Sequence, residues 1–188
     1  MLKVSPIRRE YETLPGINDI TIPALAPLPS GESADTTAIA ERFGEDIIAA
    51  GLHNGQQVVY VEPERLRDLA TFIKSEPTLA YEALIDVSSV DRLKLPIAAD
   101  DKRFHTVYQF RSYKRRQHLM VVCPVEDDKN PEVPSLTSIH EGANWPEREV
   151  ADLMGIKFEG HPDPRRILMP EHWPNHPLRK DVPVGGEE

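Results

Sequence analysis

Phe104-His105-Thr106-Val107-Tyr108-Gln109-Phe110, then Ser112-Tyr113-Lys114-Arg115, then Gln117-His118-Leu119-Met120-Val121-Val122-Cys123: the fold turns on this stretch. The first segment alternates with period two, as a half-buried strand does, and the third is an apolar, β-branched run. A basic turn joins them, which predicts a β-hairpin. Working outward, Tyr81–Val87 repeats the alternation, and Gln56–Val61 is short and β-branched. Pro63 opens a segment with Leu66, Leu69, Ala70 and Ile73 on one face, ending before Pro77, which is helical spacing. Upstream, Asp35-Thr36-Thr37 offer cap candidates, and Ile39, Phe43, Ile47 and Ala50 lie three or four apart up to Gly51. That run predicts one amphipathic helix. Strands interleaved with helices predict a single α/β (α+β) domain, its mixed β-sheet covered by helices on one face.

The flanks differ in kind. Residues 1–34 carry Pro6, Pro15, Pro23, Pro27 and Pro29 and predict an extended arm. After the charged loop Glu126–Asn130, the pattern turns helical again from Ser135. Asn144-Trp145-Pro146-Glu147 has cap-x-x-Glu spacing, with Pro146, Val150, Leu153 and Met154 on one face and Gly155 as the stop. Glu147 is expected to cap this helix, and Arg148 and Asp152 to form a surface pair four residues apart. Residues 161–188 are again proline-rich, so the organisation expected is an arm over 1–34, a domain over 35–160 and a tail over 161–188. The tail nonetheless holds Ile167-Leu168-Met169, Trp173, Leu178 and Val182, which disordered segments tend to lack. Apolar residues on a stiff extended strand want a surface, and Arg165-Arg166 and Arg179-Lys180 suit carboxylates on it. That surface is either a partner or the chain's own domain.

Composition limits the chemistry. The chain has 188 residues, a net charge of −9 and a single cysteine. Nucleic-acid binding is disfavoured, because phosphate affinity comes from clustered Lys and Arg. No apolar run approaches the ~20 residues of a membrane span, and the N-terminus lacks the apolar stretch of a signal peptide, so membrane contact is expected only through partners. One thiol builds neither an iron–sulfur cluster nor a structural zinc site, and Cys123 reads as a buried strand residue.

Sharper chemical readings compete with bland ones. His161, Asp163, His172 and His176, with Glu171 as base, raise a metal-dependent hydrolase, but Pro174 keeps His172 and His176 off a shared helix face. The bland alternative has these imidazoles bonding to backbone carbonyls. Glu147 and Glu149 point to different sides of a helix, which argues against an acid/base pair. Trp145 and Trp173 read as packing or interface anchors in the absence of a phosphate-binding loop.

The run Ala143–Ile156, with Gly160-His161-Pro162-Asp163-Pro164-Arg165-Arg166-Ile167-Leu168-Met169-Pro170 and His176-Pro177-Leu178-Arg179-Lys180-Asp181, closely resembles the 30-kilodalton subunit of respiratory complex I, the one lettered C in the bacterial NADH-quinone oxidoreductase. The resemblance covers about residues 134–183; Asp86–Asp91 and the earlier elements fit more weakly. Family members usually carry an aromatic where Ala151 stands, a Leu at Pro164, a Gly at Asn175 and a Tyr at Val182. The resemblance implies a non-redox structural subunit of the peripheral arm of NADH:quinone oxidoreductase, on the cytoplasmic side of the bacterial inner membrane. It implies contact with the 49-kilodalton-type large subunit, lettered D, and with neighbouring cluster-bearing subunits. FMN, iron–sulfur clusters and quinone would belong to the complex, with none bound by this chain. The expected partner-binding residues are Trp145, Glu147, Arg148, Glu149, His161, Arg165, Arg166, Leu168, Met169, Trp173, His176, Leu178, Arg179 and Lys180. An equivalent subunit of a membrane-bound hydrogenase or ferredoxin-linked relative is the alternative; there the module often precedes a fused large-subunit domain, and the sequence ending at Glu188 favours the respiratory enzyme.

Overall fold

The computed structural model describes residues 31–93 and 102–183, so the expected arm over 1–34 lies outside the described residues except for its last four. Ser33 opens helix α1 (Ala34–Phe43) through a capping box with Thr36, each side chain bonding the other's backbone N–H at 3.2 Å. The cap is therefore Ser33, upstream of the expected Asp35-Thr36-Thr37. Gly44, at φ 57°, ends α1. Past it the chain makes a short 3-10 turn and becomes strand β1 (Ile47–His53). The single helix expected up to Gly51 is corrected here. Three-and-four spacing placed Ile47 and Ala50 on the helix, whereas Asn54-Gly55, both at positive φ, form the tight turn of a hairpin that needs a strand on each side.

Strand β2 (Gln56–Val61) pairs antiparallel with β1 and leads through Pro63 into helix α2 (Leu66–Ser75), whose Leu66, Leu69, Ala70 and Ile73 are buried as the spacing predicted. Strands β3 (Ala83–Asp91), β4 (Phe104–Ser112) and β5 (Gln117–Pro124) form an antiparallel meander. β3 begins two residues later than the sequence pattern suggested and runs on to Asp91. The sheet order is β1-β2-β5-β4-β3, with β2 and β5 parallel, so the sheet is mixed. Val59, Val121, Tyr108 and Val87 line up across it on one face and join Ile39 of α1 and Leu69 and Ile73 of α2 in a single core. Cys123 lies in that core, and burial pushes its thiol up to about 12.

From Ser135 the chain makes turns and a 3-10 segment before helix α3 (Asn144–Met154). Two short strands, β6 (Glu132–Pro134) and β7 (Lys157–Glu159), pair in parallel on either side of this helix. No sequence pattern announces that β-α-β crossover, because three-residue strands carry no period. α3 packs Val150 and Met154 into the core, while Leu153 is only half-buried. Gly155 ends it in the left-handed conformation at φ 68°, as expected of a helix stop.

Candidate interaction site

A helix leaves its last carbonyls without intrahelical donors, and in α3 the tail supplies them. His176 donates from Nδ1 to Asp152 O at 2.8 Å, the Leu178 N–H to Leu153 O at 3.1 Å, and Arg179 Nε to Met154 O at 2.7 Å. The run His176-Pro177-Leu178-Arg179 thus reads as a helix cap delivered from outside, its guanidinium favourable at the negative end of the helix dipole.

Asp152 holds the other end of the same strap. Its side chain is fully buried, and Oδ2 accepts the consecutive backbone N–H groups of Ile167, Leu168 and Met169 at 3.1, 2.7 and 2.9 Å. Oδ1 accepts from Arg166 Nη1 at 3.0 Å. Burial alone would raise this carboxyl, but the three N–H donors and the guanidinium hold it below the usual range. The expected surface pair of Arg148 with Asp152 is corrected. Arg148 donates to Arg165 O at 2.9 Å and pairs with Asp163 at 3.4 Å, because the tail lies over α3 and takes Asp152 for itself.

Beyond Arg179, Lys180 N donates to Asp91 Oδ2 at 2.8 Å, and Arg103 bridges Asp91 at 2.7 Å and Asp181 at 3.0 Å. The strap is therefore fastened to the end of β3 as well, and to Arg103 just ahead of β4. Sequence reasoning missed Asp91 and Arg103, although a carboxylate on the core-facing register at the end of β3 is the kind of residue that needs a partner.

Glu147 does not cap α3. It is fully buried, accepting from Ser135 Oγ at 2.6 Å and Leu136 N at 2.7 Å, so it ties α3 to the segment after β6. Burial pushes it up to about 7 against the lowering influence of those two donors and of Arg67. Glu149 is exposed. His161 Nε2 donates to Asn144 O at 3.0 Å, and its Nδ1 accepts from Asp163 N at 3.0 Å, which fixes the tautomer. His161 and His176 thus sit at opposite ends of α3, His172 is exposed, and no three His, Cys, Asp or Glu side chains among the described residues are grouped to hold a metal.

With its backbone pinned, the strap turns its large apolar side chains outward. Leu168, Trp173 and Leu178 are 58%, 41% and 54% exposed, and Trp145 on α3, with Arg148 over its ring at 5.6 Å, is 69% exposed. Met169 is half-buried. Arg165 binds Asp163 with both arms at 2.7 Å, Arg166 and Arg179 are engaged with α3, and the Lys180 side chain is exposed. Under the strap, between α3 and β7, lies a cavity of about 470 Å³ bordered by Ala151, Ile156, Phe158 and Pro164.

The family model described as respiratory-chain NADH dehydrogenase, 30 Kd subunit, matches residues 59–188. The NADH-quinone oxidoreductase subunit lettered C from Roseiflexus sp. (strain RS-1) is 42% identical over 158 residues, covering 82% of this chain and 87% of that protein. Its namesake from Salinispora arenicola (strain CNS-205) is 40% identical over 77% of this chain and 57% of its own length. A solved trypsin-resistant fragment (1-134) of Nqo5 superposes with TM-score 0.55 at 30% identity, over 69% of this chain and 96% of the fragment. A chain from the structure of the membrane-bound sulfane sulfur reductase, an archaeal respiratory membrane complex, shares the fold at TM-score 0.62 and 22% identity, over 79% and 83% of the two chains.

Proposed function

The chain belongs to the family of the 30-kilodalton subunit of respiratory-chain NADH dehydrogenase, and from that premise we propose that it is a non-redox structural subunit of the peripheral arm of NADH:quinone oxidoreductase. It supports electron transfer from NADH to quinone by holding the 49-kilodalton-type large subunit and neighbouring cluster-bearing subunits in place. The chain itself holds no cofactor in this reading; FMN, iron–sulfur clusters and quinone sit in its partners. Among the described residues no helix is long and apolar enough to cross a membrane, which fits attachment to the cytoplasmic side of the inner membrane through the complex.

One observation carries the assignment of roles. The strap is anchored to its own domain through backbone and charged groups, while Trp145, Leu168, Trp173 and Leu178 face solvent. Exposed Trp and large aliphatic side chains on a pre-ordered backbone are what an interface core uses, since little ordering entropy remains to be lost on binding. Residues 35–160 are thus the body and 161–188 the docking strap. The basic side chains first expected to meet partner carboxylates serve mainly to fasten it, which leaves Lys180 and the rim as polar contacts.

The test is a double variant, Leu168→Ser with Trp173→Ser, in the full chain. The melting temperature of the isolated subunit is expected to stay within a degree or two of wild type, while native gels of membranes lose the assembled enzyme. Normal assembly and NADH:quinone activity would remove the docking role from these side chains.

A further inference from the structure

The two hairpin turns Asn54-Gly55 and Tyr113–Arg116 lie side by side at one end of the sheet, because β2 and β5 run parallel from them, with Gln57 opposite Leu119. Between the turns is a cleft of about 390 Å³ lined by Asn54, Gln56, Gln57, Arg116, Gln117 and His118. This end is basic in an acidic chain: Lys114 and Arg116 are exposed, and neither forms an ion pair with any described residue. Arg111 stacks on the exposed ring of Tyr113 at 5.2 Å. Two carboxylates next to the turn are engaged inside the chain: Glu82 accepts Tyr113 N at 2.9 Å, and Asp35 is held by Arg115 with both arms. At the opposite end of the same sheet, Glu62 is raised by burial and by its neighbours Glu126, Glu64 and Asp46, and Glu126, Asp127 and Asp128 are exposed.

We propose that the cleft between the two hairpin turns is a second docking surface, which receives a carboxylate-bearing extended segment of a neighbouring subunit. The proposal rests on the chain's being a subunit of a larger enzyme. Arg116 has φ 55°, a left-handed position that Gly or Asn fills at lower cost, and its guanidinium borders the cleft. The side-chain amides of Asn54, Gln56 and Gln117 border the cleft, while the buried Gln57 forms its floor, bonded to Ser33, Tyr81, Gln117 and the His118 carbonyl. An anionic bilayer, by contrast, responds to clustered charge alone. Charge complementarity of this kind sets register and salt dependence between subunits.

Lys114 gives a direct readout in the whole enzyme, solubilised from membranes. Water-soluble carbodiimide is expected to join the Lys114 amine to an Asp or Glu of another subunit, identified from the cross-linked peptide and absent in Lys114→Gln. The pair Lys114→Gln with Arg116→Asn should leave the subunit's melting temperature unchanged, since Asn accepts the left-handed position. It should weaken retention of the chain about tenfold at low salt, a difference that shrinks as salt rises. A Lys114 that stays unlinked or links only to Glu82, or a double variant that washes off at the wild-type salt concentration, overturns the proposal. So does loss of binding to vesicles rich in anionic phospholipid with the cross-link absent, which assigns the patch to the membrane. If the chain never co-purifies with the enzyme, the functional reading falls along with it; if it co-purifies without the cross-link, only the second surface does.

Discussion

Asp152 and Arg166 stand 14 residues apart in the chain and 3.0 Å apart in space, and the same carboxylate caps the three backbone N–H groups that follow Arg166. One helix side chain therefore sets the path of the strap. Asp152→Asn replaces an oxygen that accepts by an amide that donates, and leaves the Arg166 guanidinium with the Asn175 carbonyl but no carboxylate. Breaking such a buried pair costs about 3 kcal/mol. The expected result is faster trypsin cleavage within residues 165–180, with the domain still folded; an unchanged cleavage rate would show that Asp152 does not hold the strap.

Gly155→Val meets two obstacles. A β-branched residue at φ 68° costs about 1–2 kcal/mol, and the new Cβ would sit 2.5 Å from His176 Cδ2 and 2.8 Å from Arg179 Nη2. The summed loss of about 3 kcal/mol lowers the melting temperature by roughly 6–12 °C. Gly155→Asn, which tolerates the backbone, should lose less stability and still loosen the strap, because the His176 contact remains. A Val variant that melts like wild type contradicts both arguments.

Glu147 makes stability depend on pH in a definite direction. Its folded pKa of about 7 lies above the unfolded value near 4.5, so the native state holds the extra proton between them. The stabilisation is full below about pH 4.5 and is lost as pH rises through about 7, a change of as much as about 3 kcal/mol. Gln can keep both bonds, accepting from Leu136 N and donating to Ser135, whose hydroxyl then donates to Thr137 at 2.8 Å. Denaturant titrations should show the stability of wild type relative to Glu147→Gln falling from pH 5 to 8, while His140, whose pKa burial lowers to about 4, adds the same rising contribution to both proteins. Parallel slopes in the two proteins exclude Glu147 as the source.

Ala151 borders the cavity under the strap. Ala151→Phe should fill that space and raise the melting temperature, as burying added apolar area does at roughly 25 cal/mol per Å². A lower melting temperature would mean the cavity is too shallow for the ring.

The core was legible in the sequence where a period existed. The stripe Leu66, Leu69, Ala70, Ile73 and the alternation from Phe104 to Phe110 are both buried as spacing required. The reading failed over 44–53, where Ile47 and Ala50 kept helical spacing by coincidence and the decisive residues, Gly44 and Asn54-Gly55, act through backbone torsions. At the site, the motif residues were visible as a resemblance, but their roles were not. Glu147 looked like a cap and is a buried tie, and Arg166 looked outward-facing and is held inward, because both depend on contacts between segments with no common period.

The parallel seam between β2 and β5 carries a consequence for the order in which the protein assembles itself. β1–β2 and β4–β5 close through tight turns and β3–β4 through residues 92–103, whereas the seam joins residues from Gln57 and Leu119 onward, across everything between. Closing so long a loop is the slow, entropically costly event in forming the sheet. The strap takes its bonds from the end of α3, at Asp152, Leu153 and Met154, so its path depends on that helix being in place. The outward-facing Leu168 stands on backbone that Asp152 of α3 holds, so a neighbour that binds it reads a surface present only where α3 is in place.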